Sequence, residues 1–195
     1  MSERKATVTR RTTETSVKVE INIDGRSQSE ISTGIRFFDH MLCQIAQHGI
    51  FDLKVSASGP DQHHVVEDVA IALGQAFNQA LGDKKGIVRM GYALVPMDDA
   101  LALVALDISG RGYAIVDDLL KDAYISEMHS DLVHHFFISF ASEARINLHA
   151  QVMRGTNDHH KAEALFKALA RALDMATQID PRIPDIIPST KDSIE

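Results

Sequence analysis

The sequence predicts an α+β fold built by internal duplication of a strands–helix–strand–helix unit. Three observations carry this. The motif HHxxE occurs twice, as His63, His64 and Glu67 and again as His159, His160 and Glu163, 96 residues apart. The stretch "FDHMLCQIA" at 38–46 aligns with "VHHFFISFA" at 133–141, 95 residues on. The stretch "VKVEINIDG" at 17–25 aligns with "ALVALDISG" at 102–110, 85 residues on. A period this long is not a solenoid. It describes two similar units sharing one core, with sheets covered by helices on one side.

The first aligned pair, 17–25 and 102–110, is a strand-like run that ends in glycine, a turn signal. At the same offset Glu14 falls opposite Asp99. The second pair reads as a helix, because Met41, Leu42 and Ile45 match Phe136, Phe137 and Phe140 at i, i+1, i+4 spacing, and His40 matches His135. Next, "IFDLKV" at 50–55 and "RINLHA" at 145–150 alternate apolar and polar residues, so both read as strands. A second helix follows each. Val66, Val69, Leu73 and Phe77 line up with Ala162, Leu165, Leu169 and Leu173, which is helical spacing for a buried face. "GDKKG" at 82–86 is the natural joint, with Gly82 as a helix C-cap. The halves therefore run from about 5 to 83 and from about 89 to 178, within one domain spanning 1–195. The tail beyond Asp180 carries Pro181, Pro184 and Pro188 and reads as extended.

Composition excludes several classes. The net charge of −7 argues against a nucleic-acid surface. No apolar run approaches membrane-spanning length, and "MSERKATVTRR" lacks the apolar stretch of a signal peptide. A single cysteine, Cys43, rules out an intrachain disulfide framework and fits a reducing cytoplasm. Histidine is the unusual residue: of ten, six form three adjacent pairs, so the histidines need a reason.

A lone HHxxE has an ordinary explanation. Asp61 serves as a helix N-cap, and Glu67 and Asp68 are solvated charges of the first turns. Duplication changes the balance, since a capping coincidence need not recur with both histidines, the glutamate and a third histidine upstream. The resulting set is His40, His63, His64, Glu67, His135, His159, His160 and Glu163: six imidazoles, two carboxylates and no thiolate. Two ions with three histidines and one glutamate each use it evenly, and nitrogen–oxygen ligation suits a borderline first-row metal. Adjacent histidines on a helix point about 100° apart. His63 and Glu67 can share an ion, while His64 must aim at another ion or another subunit. His134 falls opposite Asp39, and His129 and His149 have no histidine partner in the repeat, so these three read as peripheral.

"FFDHML", "HHVVEDVAIALG", "RMGYALVPMDDAL", "DISGR", "HHFFISFA" and "HHKAEALFKALARAL" together resemble the imidazoleglycerol-phosphate dehydratase family, in order and over nearly the whole chain. The resemblance implies a duplicated fold of the ribosomal protein S5 domain 2-like type. It implies loss of water from imidazole glycerol phosphate to give imidazole acetol phosphate, a step of histidine biosynthesis in the cytoplasm. It implies two manganese ions per active site and a 24-mer with active sites shared between chains. With no phosphatase domain preceding it, the chain is expected to be monofunctional.

Carried over by motif, the metal ligands fall on the eight positions above. The acid/base glutamate of "TxET" falls on Glu14, with Asp99 as a second candidate. Phosphate binding falls on Arg89, Arg111, Lys167, Ser189 and Lys191, the last two in "PSTKD" where the family has "PSSKG". Substrate contacts are also expected at Glu14, His40, His48, His63, Glu67 and His159. The chemistry suits this set: the proton to be removed is not acidic, and two ions on the ring nitrogens make the imidazole a better electron sink. Two other classes compete, a dinuclear metallohydrolase and a non-catalytic metal-assembled shell.

Overall fold

The computed structural model describes residues 3–194. The first half comprises β1 (Lys5–Arg11), β2 (Ser16–Asn22), β3 (Ser29–Ser32), α1 (Arg36–Gly49), β4 (Asp52–Ser58) and α2 (Gln62–Ala80). The second comprises β5 (Met90–Met97), β6 (Ala100–Asp107), β7 (Tyr113–Asp117), a short hairpin β8 (Tyr124–Ile125) and β9 (Met128–His129), α3 (Asp131–Ala144), β10 (Asn147–Arg154) and α4 (Asp158–Thr177). Each half forms a four-stranded sheet of the same order, β1-β2-β4-β3 and β5-β6-β10-β7. The last pair in each is parallel and the others are antiparallel. The duplication is thus visible strand for strand.

Two irregularities explain why the offset drifts along the chain. It grows from 85 to 95 because the β8–β9 insertion has no counterpart in the first half. It grows from 95 to 96 at a bulge in β10, where the register with β6 slips between Val152 and Arg154.

The four helices lie between the sheets and pack across the duplication, α1 on α4 and α2 on α3. Gly74 permits the second contact: a Cβ there would stand 2.7 Å from the Phe140 carbonyl oxygen. Phe38, Phe136, Phe166, Phe77 and Phe140 are fully buried and touch edge-on, tilted or, for Phe136 and Phe140, stacked through the centre. Both α1 and α3 end on a left-handed residue, Ile50 and Arg145, which turns Phe51 and Ile146 back into the core. Gly82, at φ +60°, follows the end of α2.

The outer faces of the sheets differ. In the repeat, Thr7, Thr9, Lys18, Glu20 and Glu30 of the first sheet correspond to Tyr92, Leu94, Leu103, Ala105 and Ile115 of the second. Met90, Tyr92, Leu94, Tyr113 and Ile115 are exposed, an apolar face that folding of the chain alone leaves uncovered. No helix among the described residues is long and apolar enough to cross a membrane.

Candidate metal centres and active site

Both repeats start their second helix the same way. Asp61 accepts from the N–H groups of His63 and His64 at 2.8 and 3.2 Å. Asn157 accepts from His159 and His160 at 2.9 and 3.4 Å. The capping explanation of the motif is therefore correct as far as it goes, and the cap fixes the backbone from which each histidine pair projects.

The side chains then gather in two clusters, each within 4.8 Å between donor atoms: His40, His159 and Glu163, and His63, Glu67 and His135. Each takes its HHxxE from one half and its upstream histidine from the other, because α1 packs on α4 and α3 on α2. Glu163 Oε2 stands 3.2 Å from His40 Nε2 and 3.3 Å from His159 Nε2. Burial pulls the Glu163 pKa up, but hydrogen bonds from Lys167 and His40 outweigh it and hold the carboxyl below its ordinary value. In the other cluster, His63 and His135 stack at 4.5 Å, and His135 Nε2 lies 3.5 Å from Glu67 Oε1. That nitrogen is buried without a hydrogen-bond partner. A buried imidazole lone pair or N–H left so is costly unless something else takes it up. Converging imidazoles and a carboxylate around such an atom fit a metal ion.

The remaining member of each pair points away. The rings of His63 and His64 are 89° apart, and those of His159 and His160 are 84° apart. His64 Nδ1 is 3.6 Å from Glu14 Oε2, and His160 Nδ1 is 2.7 Å from Asp99 Oδ1. Each histidine that leaves its own cluster thus meets the carboxylate of the equivalent strand turn.

Lys167 lies beside the first cluster, its Nζ 2.6 Å from Glu163 Oε1. His48 closes α1 nearby, and burial together with Lys167 and Arg171 pushes its pKa down. A cavity of about 540 Å³ opens beside His63, lined by Asp61, Gln62, Tyr124, Glu127 and His129. Its far wall is the β8–β9 hairpin, an element that sequence reasoning did not find, and His129, exposed as expected, lines the cavity. His134 meets Asp118 at 3.3 Å, and His149 is exposed.

Arg89, Arg111, Ser189 and Lys191 stand elsewhere. Arg89 donates to Asp107 at 2.6 and 3.0 Å and to the Pro188 carbonyl at 2.7 Å, which anchors the tail. The Arg111 carbonyl accepts from Asn147, which faces Asp107 in the sheet. The Arg89 N–H bonds the Ala176 carbonyl near the end of α4, whereas His159 is at its start. At 1.5 Å per residue the two ends are about 25 Å apart. The eight residues of β5, between Arg89 and the Asp99 turn, give about the same. One chain thus brings together the metal-type residues, Glu14 and Lys167, and holds the other anion-binding candidates at the opposite end of its second sheet.

Asp68, a solvated charge under the capping explanation, is instead buried against Thr15 and Arg10.

The family model described as imidazoleglycerol-phosphate dehydratase matches residues 33–173. Curated proteins of that name from Dehalococcoides mccartyi and Roseiflexus sp. are 60% identical over all of both chains and 55% identical over 97% of each. The crystal structure of the Staphylococcus aureus protein of that name superposes with a TM-score of 0.84 at 37% identity, covering 90% of this chain and 99% of that one. The Pyrococcus furiosus structure gives 0.83 at 38%, covering 95% and 99%. By sequence and by fold, the chain belongs to the imidazoleglycerol-phosphate dehydratase family.

Proposed function

We propose that this protein dehydrates imidazole glycerol phosphate, the substrate in its family's name, to imidazole acetol phosphate as a step of histidine biosynthesis in the cytoplasm. The observation that best supports the chemistry is the pair of repeat-related clusters, one with an orphaned buried imidazole nitrogen. Two manganese ions are the proposed occupants. His40, His159 and Glu163 would hold one, and His63, Glu67 and His135 the other. His64 and His160 would complete the sets of neighbouring copies, since neither points into its own cluster. When bound, the ions would supply positive charge that favours the deprotonated, electron-rich form of the substrate ring, the form able to expel the neighbouring hydroxyl.

The chain's own residues do the rest. Glu14 carries the proton: its carboxylate is exposed and accepts no hydrogen bond among the described residues, beside His64. Asp99, its counterpart, is committed to four donors. His48 lines the approach to the first cluster, Lys167 beside it binds the phosphate, and Arg89, Arg111, Ser189 and Lys191 bind the phosphate as well. Because Arg89 lies about 25 Å from His159 of the same chain along α4, and Arg111 and the Pro188 segment lie at the Arg89 end, these residues would serve a site on a neighbouring copy. Shared sites in turn require a homo-oligomer, for which we propose the 24-mer of the family. The uncovered apolar face of the second sheet supports association between copies.

A dinuclear hydrolase fits less well, because such sites lean on a bridging carboxylate and each cluster has its own single glutamate. Incubating the purified, manganese-loaded protein with imidazole glycerol phosphate tests the proposal. A keto product with its phosphate retained is expected. Release of inorganic phosphate would favour hydrolysis, and no turnover would leave only the storage shell.

A further inference from the structure

Glu14 sits in the turn between β1 and β2, and that turn is fixed without use of the Glu14 carboxylate. The Thr12 hydroxyl accepts from the N–H of Glu14 at 3.1 Å and of Thr15 at 2.9 Å. The Thr12 N–H closes the turn on the Thr15 carbonyl at 3.0 Å. Beneath it Gly59 packs closely: a Cβ there would come 3.0 Å from Thr15 Cγ2 and 3.2 Å from the Glu14 carbonyl oxygen, a tight contact.

The turn is tied to α2 through one side chain. Thr15 donates its hydroxyl to Asp68 Oδ2, and both residues are buried. Asp68 Oδ1 accepts from Arg10 Nε at 2.7 Å, so the carboxylate is held from both sides. Asp68 lies one helical turn beyond His64 and next to Glu67. The second half has nothing comparable. The counterparts of Arg10, Thr15 and Asp68 are Val95, Ala100 and Ala164. There the turn is held by the Asp99 carboxylate itself. The two repeats have diverged in how they hold this turn. The second half immobilises it by its acid, whereas the first immobilises it by the neighbours and leaves the acid free.

We propose that Asp68 is a positioning residue for the dehydration. Through Thr15 it locks the β1–β2 turn onto the helix that carries His63, His64 and Glu67, and so sets where the Glu14 carboxylate stands. This rests on the reading of Glu14 as the proton carrier. A merely structural Asp68 would stabilise the fold with no special dependence on Glu14.

A double-mutant cycle separates the two. Thr15→Val keeps the shape, removes the hydroxyl and leaves the Arg10–Asp68 pair intact. In the manganese-loaded enzyme it is expected to lower kcat by about tenfold or more, the scale of loss from small misplacement of a reacting group, with KM and metal content unchanged. Thr15→Ser restores the donor and most of the rate. In a Glu14→Gln background Thr15→Val causes no further loss, because the group it positions is already gone. Because the Thr15 hydroxyl also meets the Thr12 hydroxyl at 3.2 Å, Asp68→Asn, which leaves that contact in place, is measured alongside and is expected to behave likewise. An equal loss in both backgrounds, or wild-type kcat in Thr15→Val, overturns the positioning role while leaving Glu14 in place. Wild-type turnover of Glu14→Gln alone overturns the proton-transfer reading, and the positioning role with it.

Discussion

His160 Nδ1 lies 2.7 Å from Asp99 Oδ1, whereas its repeat counterpart His64 stands 3.6 Å from Glu14 Oε2. Asp99 also accepts from the backbone and hydroxyl of Thr156 and from the N–H of Asn157. The Thr156 N–H, followed by His160, holds its carboxyl well below the usual carboxylate range. A group so engaged is a poor proton carrier at neutral pH, since protonation would forfeit those hydrogen bonds. Duplication supplied two equivalent acids, and their surroundings have driven them apart.

The first prediction follows. Glu14→Gln should keep its metal and its particle size but lose roughly a hundredfold or more in turnover, the usual contribution of a positioned acid/base group. Asp99→Asn should instead weaken metal retention, and turnover with it, by releasing the turn from the start of α4 and freeing His160. Metal content and turnover measured on both purified variants decide. A Glu14→Gln protein that loses metal would make Glu14 a ligand.

A second prediction concerns Arg89. Its guanidinium joins Asp107 to the Pro188 carbonyl, so Arg89→Ala removes both the proposed phosphate partner and the anchor of the segment bearing Ser189 and Lys191. Loss of one charged hydrogen-bond partner costs on the order of 1.5–3 kcal/mol. KM should rise, kcat should fall, and the tail should become sensitive to limited proteolysis. Wild-type kinetics in a folded variant would remove Arg89 from the site.

Much of this was legible in the sequence where the signal is local. The HHxxE motif places a histidine and a glutamate on one helical face wherever the helix goes, and repetition separated it from a simple cap. The pairing of His40 with α4 and of His135 with α2 was not legible, because it depends on which helices of the two halves pack together. Nor was the remoteness of Arg89 from His159, which is a matter of strand length and direction rather than of motif. Asp68 carried no signal as a lone charge on a helix; only its burial beside Thr15 singles it out. The β8–β9 hairpin is too short for periodicity to find, though the change of offset from 85 to 95 marked where it had to lie.

A third prediction concerns acid stability away from the site. Asp52 accepts from Arg26 and Gln28 N–H groups at 2.7 and 3.1 Å and from Asn22, pinning the turn after β2. Those bonds, the Arg26 N–H foremost, lower its pKa from the ordinary value. A depressed carboxylate stabilises the fold above its unfolded pKa, near 3.8, and loses that contribution as pH falls through the lower folded value. Asp52→Ala should therefore be less stable than wild type at neutral pH. The gap between their unfolding curves should close as pH falls below about 4. A gap that stays constant down to strong acid would rule out the titration as its source.

The last prediction tests the division of the site between chains. Chelation should reduce the particle size, and manganese should restore it, if His64 and His160 complete clusters on neighbouring copies. Glu14→Gln removes the acid at the metal end of the chain while keeping the metal, and leaves the anion end intact; Arg111→Ala alters the anion end alone. If one chain served its own site, mixing the two variants would restore nothing. If each site takes its metal end from one chain and its anion end from another, an equal mixture dissociated by chelation and reassembled with manganese gains intact sites. Random assembly makes roughly one site in four intact, because the metal end must come from one variant and the anion end from the other. Activity rising to about a quarter of wild type only after reassembly supports shared sites. Activity that stays at the level of the separate variants would return both ends to a single chain, against the 25 Å that α4 and β5 put between them.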